Sequence, residues 1–392
     1  MSSAVVTVDL EHIPSVIDGL DRYTRAFIYL QLRGRVVDHI RLPVRGGRLA
    51  GAEIHAAMAK QNSYTVWDRW LRNHLEWEEP GASATGVRAT VAVCTRERPE
   101  DLERCLSALE AMPDDSQDIV VIDNAPFTNA TQGVVARHPR ARYVQEGRPG
   151  LNAARNRALA EATHDIVAFI DDDAAADSGW LRGLSRNFAD PLVQCVTGLT
   201  LPLELETPAQ EWQEILSPFG RGLARRVFDT TVLSPPSAGL TGAGVNMALR
   251  RGVPAVVGPF DEALDAGTFT RSGGDNEMFS RILGAGYRIV YDPAALSWHR
   301  HRRTWPELRQ AFYGYGAGVY AAWTRSLLVE RELHVLRTAY RWLLDHHLRS
   351  VARSLLRRPD SGPLDLVLAE LSGCAAGPWA YLASRRRLRR AP

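Results

Sequence analysis

A short apolar run that stops on three carboxylates constrains this chain more than any other stretch: Ile166-Val167-Ala168-Phe169-Ile170-Asp171-Asp172-Asp173. Its length and its β-branched and aromatic residues fit a buried strand. Three adjacent acids at a strand end repel one another unless a cation sits among them. Mg2+ is commonly held by one or two carboxylates together with substrate phosphates. A solvated acidic turn leading into a helix near Ser178 is the plainer reading. The flanking chain decides between the two.

From Arg88 the pattern alternates. Residues 89–94 read as a strand, 99–111 as a helix with proline in its first turn, and 119–122 as a second strand. A helix at 130–137, a strand at 141–145 and a helix at 151–160 lead into the aspartate strand. Such alternation predicts a mostly parallel sheet with helices on both faces. Ligands of open α/β sheets gather at the carboxyl ends of the strands. Here those ends carry Thr95-Arg96, Asp123-Asn124 and the aspartate triplet, so three strands deliver polar groups to one edge. No Walker motif is present, and no Gly-x-Gly-x-x-Gly follows the first strand. Gly147-Arg148-Pro149-Gly150 precedes a helix carrying Asn152, Arg155, Asn156 and Arg157. A helix N-terminus with arginines can hold an anion, although an ordinary loop and a solvated helix face explain it equally well.

The second half carries three further features. Residues 204–238 are proline-rich and resist assignment. Gly242-Ala243-Gly244-Val245-Asn246 approaches a strand, and small residues there let a ligand come close to the backbone. In Gly273-Gly274-Asp275-Asn276-Glu277, two acids open a helix over 278–283. Acids at a helix start are usually caps, but one in reach of a hydroxyl can serve as a general base. A strand at 289–291 runs toward His299 and His301, which share a side if the backbone is extended. A neutral imidazole is a common metal ligand. Thr304 and Glu307 form a capping box for a helix from Trp305, and helices continue through Arg353. Tyr313, Tyr315, Tyr320 and Trp323 read as packing residues, with an acceptor-lining role as the alternative.

Residues 1–80 look like a separate small α/β unit, with strands at 4–10, 26–32 and 36–44 and helices at 50–60 and 65–78. Trp67, Trp70, Leu71, His74 and Trp77 fall at helical spacing, which predicts a core or a domain interface, with an exposed binding face as the alternative. The unit is expected to dock on the following domain and help select an acceptor. Residues 80–83 read as a linker. The expected organisation is an accessory unit at 1–80, a catalytic domain at 87–303, and a helical region with a basic tail at 304–392.

Hydrophobic content of 45% and charged content of 23% allow a sizeable core. A net charge of +2 gives no reason to expect nucleic acid as a partner. The arginines at 385–390 leave peripheral membrane contact open. The best candidate span, 364–383, contains Asp365, Glu370 and Pro378, which count against insertion. Cys94, Cys105, Cys195 and Cys374 show no metal-ligand spacing and fit reduced thiols. No basic stretch followed by an apolar core opens the sequence, so no leader is expected. The expected location is the cytoplasm, with the inner face of the membrane as a variant.

Taken in order, Val93-Cys94-Thr95-Arg96, Val121-Ile122-Asp123-Asn124, the stretch from Gly150 to Arg157, Asp171-Asp172-Asp173, the stretch from Gly242 to Arg250, and Gly274-Asp275-Asn276-Glu277 resemble the family 2 glycosyltransferases of GT-A fold. The resemblance implies that Thr95, Arg96 and Asp123 meet the nucleobase or ribose, with Arg155, Asn156, Asp171 and Asp172 near the nucleotide. It makes Asp173 the direct ligand of Mg2+ or Mn2+, completed by His299, and Asp275 the catalytic base. Gly244, Asn246 and Glu277 would shape or support the acceptor side, with Glu277 the second candidate for the base. The implied reaction moves a sugar from a nucleoside-diphosphate sugar, expected to be a UDP-sugar, to an acceptor hydroxyl with inversion. The sequence does not identify that acceptor. Gly274 departs from the family pattern, because many relatives carry an acid there. A nucleotidyltransferase and a non-catalytic sugar-nucleotide-binding protein are the other readings.

Overall fold

The computed structural model describes residues 2–60, 64–75, 88–358 and 361–390. β1 (Ser3–Asp9) pairs in parallel with β2 (Arg25–Leu32), which turns into antiparallel β3 (Arg35–Pro43). Side chains alternate across a strand, and β2 uses both faces. Ile28 and Leu30 pack with Ile54 of α1 (Gly51–Lys60). Phe27 and Tyr29 face the other way and join Leu201 and Leu205 of the main core. The Tyr29 ring meets Trp298 edge-on at 5.7 Å, and the Ser3 N–H donates to the Leu205 carbonyl at 2.8 Å. The tryptophan stripe of α2 (Tyr64–His74) is not buried as expected: Trp67 is 61% and Trp70 42% exposed. The physical reason is that α1 already closes that small core, so these rings pack on each other and on His74 instead. Trp77 and the expected linker at 80–83 lie outside the described residues.

The main sheet begins with β4 (Ala89–Thr95), followed by α3 (Pro99–Glu110), β5 (Asp118–Asn124), β6 (Ala141–Glu146), α4 (Leu151–Glu161) and β7 (Ile166–Asp171). These strands run parallel in the order β6-β5-β4-β7. Their register aligns Thr95 with Asp123 and Cys94 with Asp171, so the polar strand ends share one edge. Beyond β7 come the short β8 (Ala174–Ala176), β9 (Val193–Pro202), β10 (Asn246–Arg250) and, after α5 (Gly274–Gly284), β11 (Arg288–His299). β10 lies antiparallel between β7 and β9, and β9 pairs in parallel with β11. β8 pairs with the end of β11 and sets Ala174 opposite His299. The three-aspartate turn therefore lies beside that histidine. The last strand is much longer than the expected 289–291, and every residue of β9 is buried.

The unassigned stretch holds a helix, Pro208–Leu216, capped by the Thr207–Gln210 box, and a turn of 3-10 helix over Pro235–Thr241. After β11, Thr304 and Glu307 form the expected capping box for α6 (Trp305–Arg325). A helical run from His334 to Leu355 and the long α7 (Leu364–Arg390) complete the described chain. α6 and α7 approach so closely that a Cβ at Gly316, Gly373 or Gly377 would strike backbone of the facing helix.

Candidate active site

The aspartate turn is buried and tightly partnered. The Thr95 hydroxyl donates to Asp172 at 2.7 Å, and the Arg98 guanidinium reaches Asp172 and Asp173 at 3.2 Å each. Arg302 adds a longer contact to Asp173 at 3.4 Å. Burial lifts the Asp171 carboxyl and, with the charge of Asp173, pushes Asp172 up to about 7. Burial opposes charge at Asp173 too, but His299, Arg302 and Arg98 outweigh it and hold that carboxyl below the usual range. The His299 Nε2 lies 3.0 Å from Asp173 Oδ1, yet no hydrogen bond from the described residues satisfies that oxygen. One candidate ligand atom each from Asp171, Asp173 and His299 falls within 4.8 Å of the others. An unmatched buried oxygen beside an imidazole and a second carboxylate fits a divalent cation. His301 stands one step back: its Nδ1 faces His299 Nδ1 at 3.3 Å and its Nε2 faces Glu214 at 3.0 Å.

Asp275 sits in the first turn of α5, and its side chain is fixed from two directions. Oδ2 accepts the Gly244 N–H at 2.7 Å, and Oδ1 accepts the Asn276 N–H at 2.8 Å. A side chain at position 244 would crowd both groups, because a Cβ there would lie 2.8 Å from the Arg155 guanidinium and 3.0 Å from Asp275. Arg155 is wholly buried and donates to Asp265 at 2.8 Å. Burial disfavours its charge, but Asp265, Asp275 and Asp171 outweigh that and raise it. Asp265 had no signal in the sequence. Its backbone has φ of 80°, uncommon for a residue other than glycine. A Cβ at Gly274 would meet its carboxylate at 2.5 Å. The acid missing from position 274 is thus matched in space by Asp265.

Several expected site residues also make contacts within the fold, and Glu277 lines the same cavity as Asp275. Asn246 is buried, accepts from Trp180 at 2.8 Å and donates to Leu199, Ala295 and Ser297. Glu277 is buried in an ion pair with Arg281 and contacts Arg325 at 2.7 Å. A carboxylate so paired is poorly placed to take a proton. Asn156 clamps the backbone of Phe260 through bonds of 3.0 and 2.9 Å. The expected anion site at the start of α4 is taken up by protein: Leu151 N–H donates to Ala266, while Arg148 and Arg157 pair with acids. At the strand ends expected to meet a nucleoside, Asp123 accepts from Tyr143 at 2.9 Å through one oxygen, and the other has no partner among the described residues. Burial raises that carboxyl. Arg96 stacks over the exposed Phe127 ring at 4.8 Å.

Asp275 also lines a cavity of about 280 Å³. Its other walls include Phe219, Arg221, Tyr315, Trp323 and Trp342. Arg221 Nε is buried and unmatched among the described residues. The expected acceptor unit contributes nothing here: no described residue of 2–75 lines this cavity, and the C-terminal helices do.

A mostly parallel sheet with carboxylates at its strand ends and an acid facing a separate cavity is the arrangement of the GT-A fold. The profile of glycosyl transferase family 2 matches residues 90–251. The chain is 31% identical over 243 residues to the pre-mycofactocin glycosyltransferase of Mycobacterium tuberculosis, a match covering 58% of this chain and 46% of that relative. The chain thus spans about half of that relative's length. Glycosyltransferase AglE of Haloferax volcanii is 25% identical over 257 residues, covering 62% of this chain and 76% of its own. Among solved structures, the mannosyltransferase PcManGT from Pyrobaculum calidifontis, in complex with GDP-Man and Mn2+, superposes with a TM-score of 0.53 at 18% identity. That match covers 80% of this chain and 94% of the other and confirms the GT-A fold.

Proposed function

We propose that this protein transfers a sugar from a nucleoside-diphosphate sugar to an acceptor hydroxyl, by single displacement with inversion. The observation that carries the reading is Asp275: Gly244 fixes its carboxylate at 2.7 Å, and it lines the cavity where an acceptor fits. In this reading Asp275 takes the hydroxyl proton as that oxygen bonds to the anomeric carbon. The bond from that carbon to the diphosphate breaks on the opposite face. Asp173, His299 and Asp171 would hold Mg2+ or Mn2+, which supplies neutralisation for the departing diphosphate. Arg155 sets the field around Asp275, and Arg98 offsets the remaining charge on the aspartate turn.

Uridine is the nucleoside we propose. Asp123 has one unmatched oxygen, and uracil offers one imino N–H; guanine presents its donors as a pair. Arg96 and Phe127 give the base a cationic and an aromatic neighbour. PcManGT carries GDP-Man, so GDP-sugars are the comparison arm. A thermal-shift panel of UDP, GDP and their sugars, with and without Mn2+, tests the donor, because a ligand of the native state raises its stability. Stabilisation by UDP-sugars that needs Mn2+ is expected. A nucleotidyltransferase would instead release pyrophosphate from a nucleoside triphosphate, and a binding module would leave the donor intact.

We also propose the division into an accessory unit at 1–80, a catalytic domain at 87–303 and a helical region at 304–392, in a cytoplasmic protein resting on a membrane face. α7 is long and apolar enough to cross a bilayer, although 39% of its most apolar window is buried in the fold. The surface reading rests on the neighbouring run. Exposed Leu336, Tyr340, Leu344 and Leu348 recur every four residues beside Arg337, Arg341 and Arg349. An apolar stripe flanked by arginines suits an anionic interface. Co-sedimentation with phosphatidylglycerol vesicles, but not phosphatidylcholine vesicles, is expected. Binding that survives Leu336→Glu with Leu344→Glu would remove this surface from consideration.

A further inference from the structure

Away from the sheet edge, the helical region gathers three candidate metal ligands, with a cysteine beside one of them, that the proposed transfer does not use. Residues Leu343–Leu348 form a turn of π-helix, a rare element that recurs at functional sites. Consecutive residues of an α-helix diverge by about 100°, but here His346 and His347 both reach toward α7. His346 Nε2 lies 3.9 Å from Glu370 Oε1, and His347 Nε2 lies 3.3 Å from Cys374 Sγ. Glu370 and Cys374 are four residues apart and so share a face of α7. Candidate ligand atoms of His346, His347 and Glu370 fall within 4.8 Å of one another. Among the described residues no hydrogen bond reaches the Glu370 carboxylate, although it is mostly covered.

We propose that His346, His347, Glu370 and Cys374 form a second metal site that takes Zn2+ and ties the 343–348 turn to α7. Two imidazoles, a carboxylate and a thiolate make a mixed donor set suited to a four-coordinate zinc ion. The Cys374 thiol loses its proton on binding, since the thiolate is the ligand. A cation there also partners the stranded Glu370. The consequence lies next door: Trp342, which lines the cavity, packs against His346 at 5.0 Å. The site would hold that wall in place without touching the reacting atoms.

The test uses the full chain carrying Asp173→Ala and His299→Ala, which silences the sheet-edge group. Zn2+ stoichiometry is read by elemental analysis after dialysis, and Co2+ substitution by thiolate-to-metal charge-transfer absorption. A single tightly held ion and a charge-transfer band are expected. Adding His347→Ala should weaken Zn2+ binding by more than the roughly 10–100-fold that changes to a ligand's own partners cost. Adding Cys374→Asp should keep an ion but erase the band, and circular dichroism checks that the helices persist. A chain that retains no zinc overturns the proposal, as does a cobalt spectrum without a thiolate band. The cobalt spectrum is taken on a chain whose four proposed ligands are intact, so misfolding of a ligand variant cannot explain it.

Discussion

A buried arginine governs how Asp275 can behave. Arg155 has no solvent to screen it, and its charge is balanced by Asp265 at 2.8 Å and by the nearby field of Asp275. Asp265→Ala should therefore cost about 3–5 kcal/mol, the usual effect of stranding one half of a buried pair; chemical denaturation measures it. Asp275→Asn keeps the shape and the Gly244 contact but cannot take a proton. Transfer should fall by about 10²–10⁴-fold while donor affinity stays near normal, read from kcat and from titration calorimetry. A near-normal kcat would end the base assignment, and the Arg281 and Arg325 contacts make Glu277 a poor substitute. His299→Ala should raise the Mn2+ concentration needed for activity far more than His301→Ala, whose ring only backs His299. Equal shifts in the two Mn2+ titrations would remove the distinction. At this scale the sequence was half legible. Asp173, Asp275 and Asp123 stood out because acids at strand and helix ends need a reason. Asp265 and Arg221 did not, because each lies in irregular chain and is given its neighbours only by tertiary contact. The part that Asn246 and Glu277 play was not legible, since a polar residue inside a motif looks the same whether it faces a ligand or the core.

Between elements, the seam of α6 and α7 is the most exacting contact. Gly373 lies against the Tyr313 carbonyl so closely that a Cβ would collide with it. Gly373→Ala should destabilise the chain by about 1–3 kcal/mol, as overpacking generally does, and should weaken acceptor binding because Tyr315 and Trp323 ride on α6. A denaturation curve beside an acceptor KM checks both, and an unchanged curve would show that the helices part freely. Strand and helix alternation between 88 and 171 was readable because each segment has a clean period. Residues 204–238 were not, because proline and short elements hide the Thr207 cap that starts a real helix. The His-His-Glu-Cys group escaped notice for a different reason: its ligands come from two helices, so no spacing rule applies, and Cys374 alone reads as an inert thiol.

Seen whole, the chain hides its N-terminal unit's purpose in its core. Phe27, Tyr29 and Val36 pack with Leu201 and Leu205, so the unit is part of the fold and not a loose appendage. A chain beginning at Arg88 should lose soluble yield, because that apolar face would meet water. Any soluble fraction should keep its acceptor KM, since no described residue of 2–75 lines the cavity. A markedly raised KM in that fraction would return the acceptor role to the unit. The tryptophans pointed toward docking, but the docking centres on β2, joined by Ser3 of β1 and Val36 of β3, and the sequence pattern did not reveal the two apolar faces of β2.

The short segment after β11 has a thermodynamic meaning. His299 ends that strand, Arg300 N–H bonds the Asp173 carbonyl at 2.9 Å, Gln213 holds Arg302 N–H at 3.1 Å, and Thr304 caps α6. One tether thus joins the aspartate turn to the helix that walls the Asp275 cavity. We predict that occupying either end biases the same few residues, so that the proposed donor and acceptor bind with coupled affinities. Whatever factor the donor adds to acceptor affinity, the acceptor must return to the donor. Titration of each ligand with and without the other should show equal mutual effects on affinity, and independent binding would show that the tether carries no coupling.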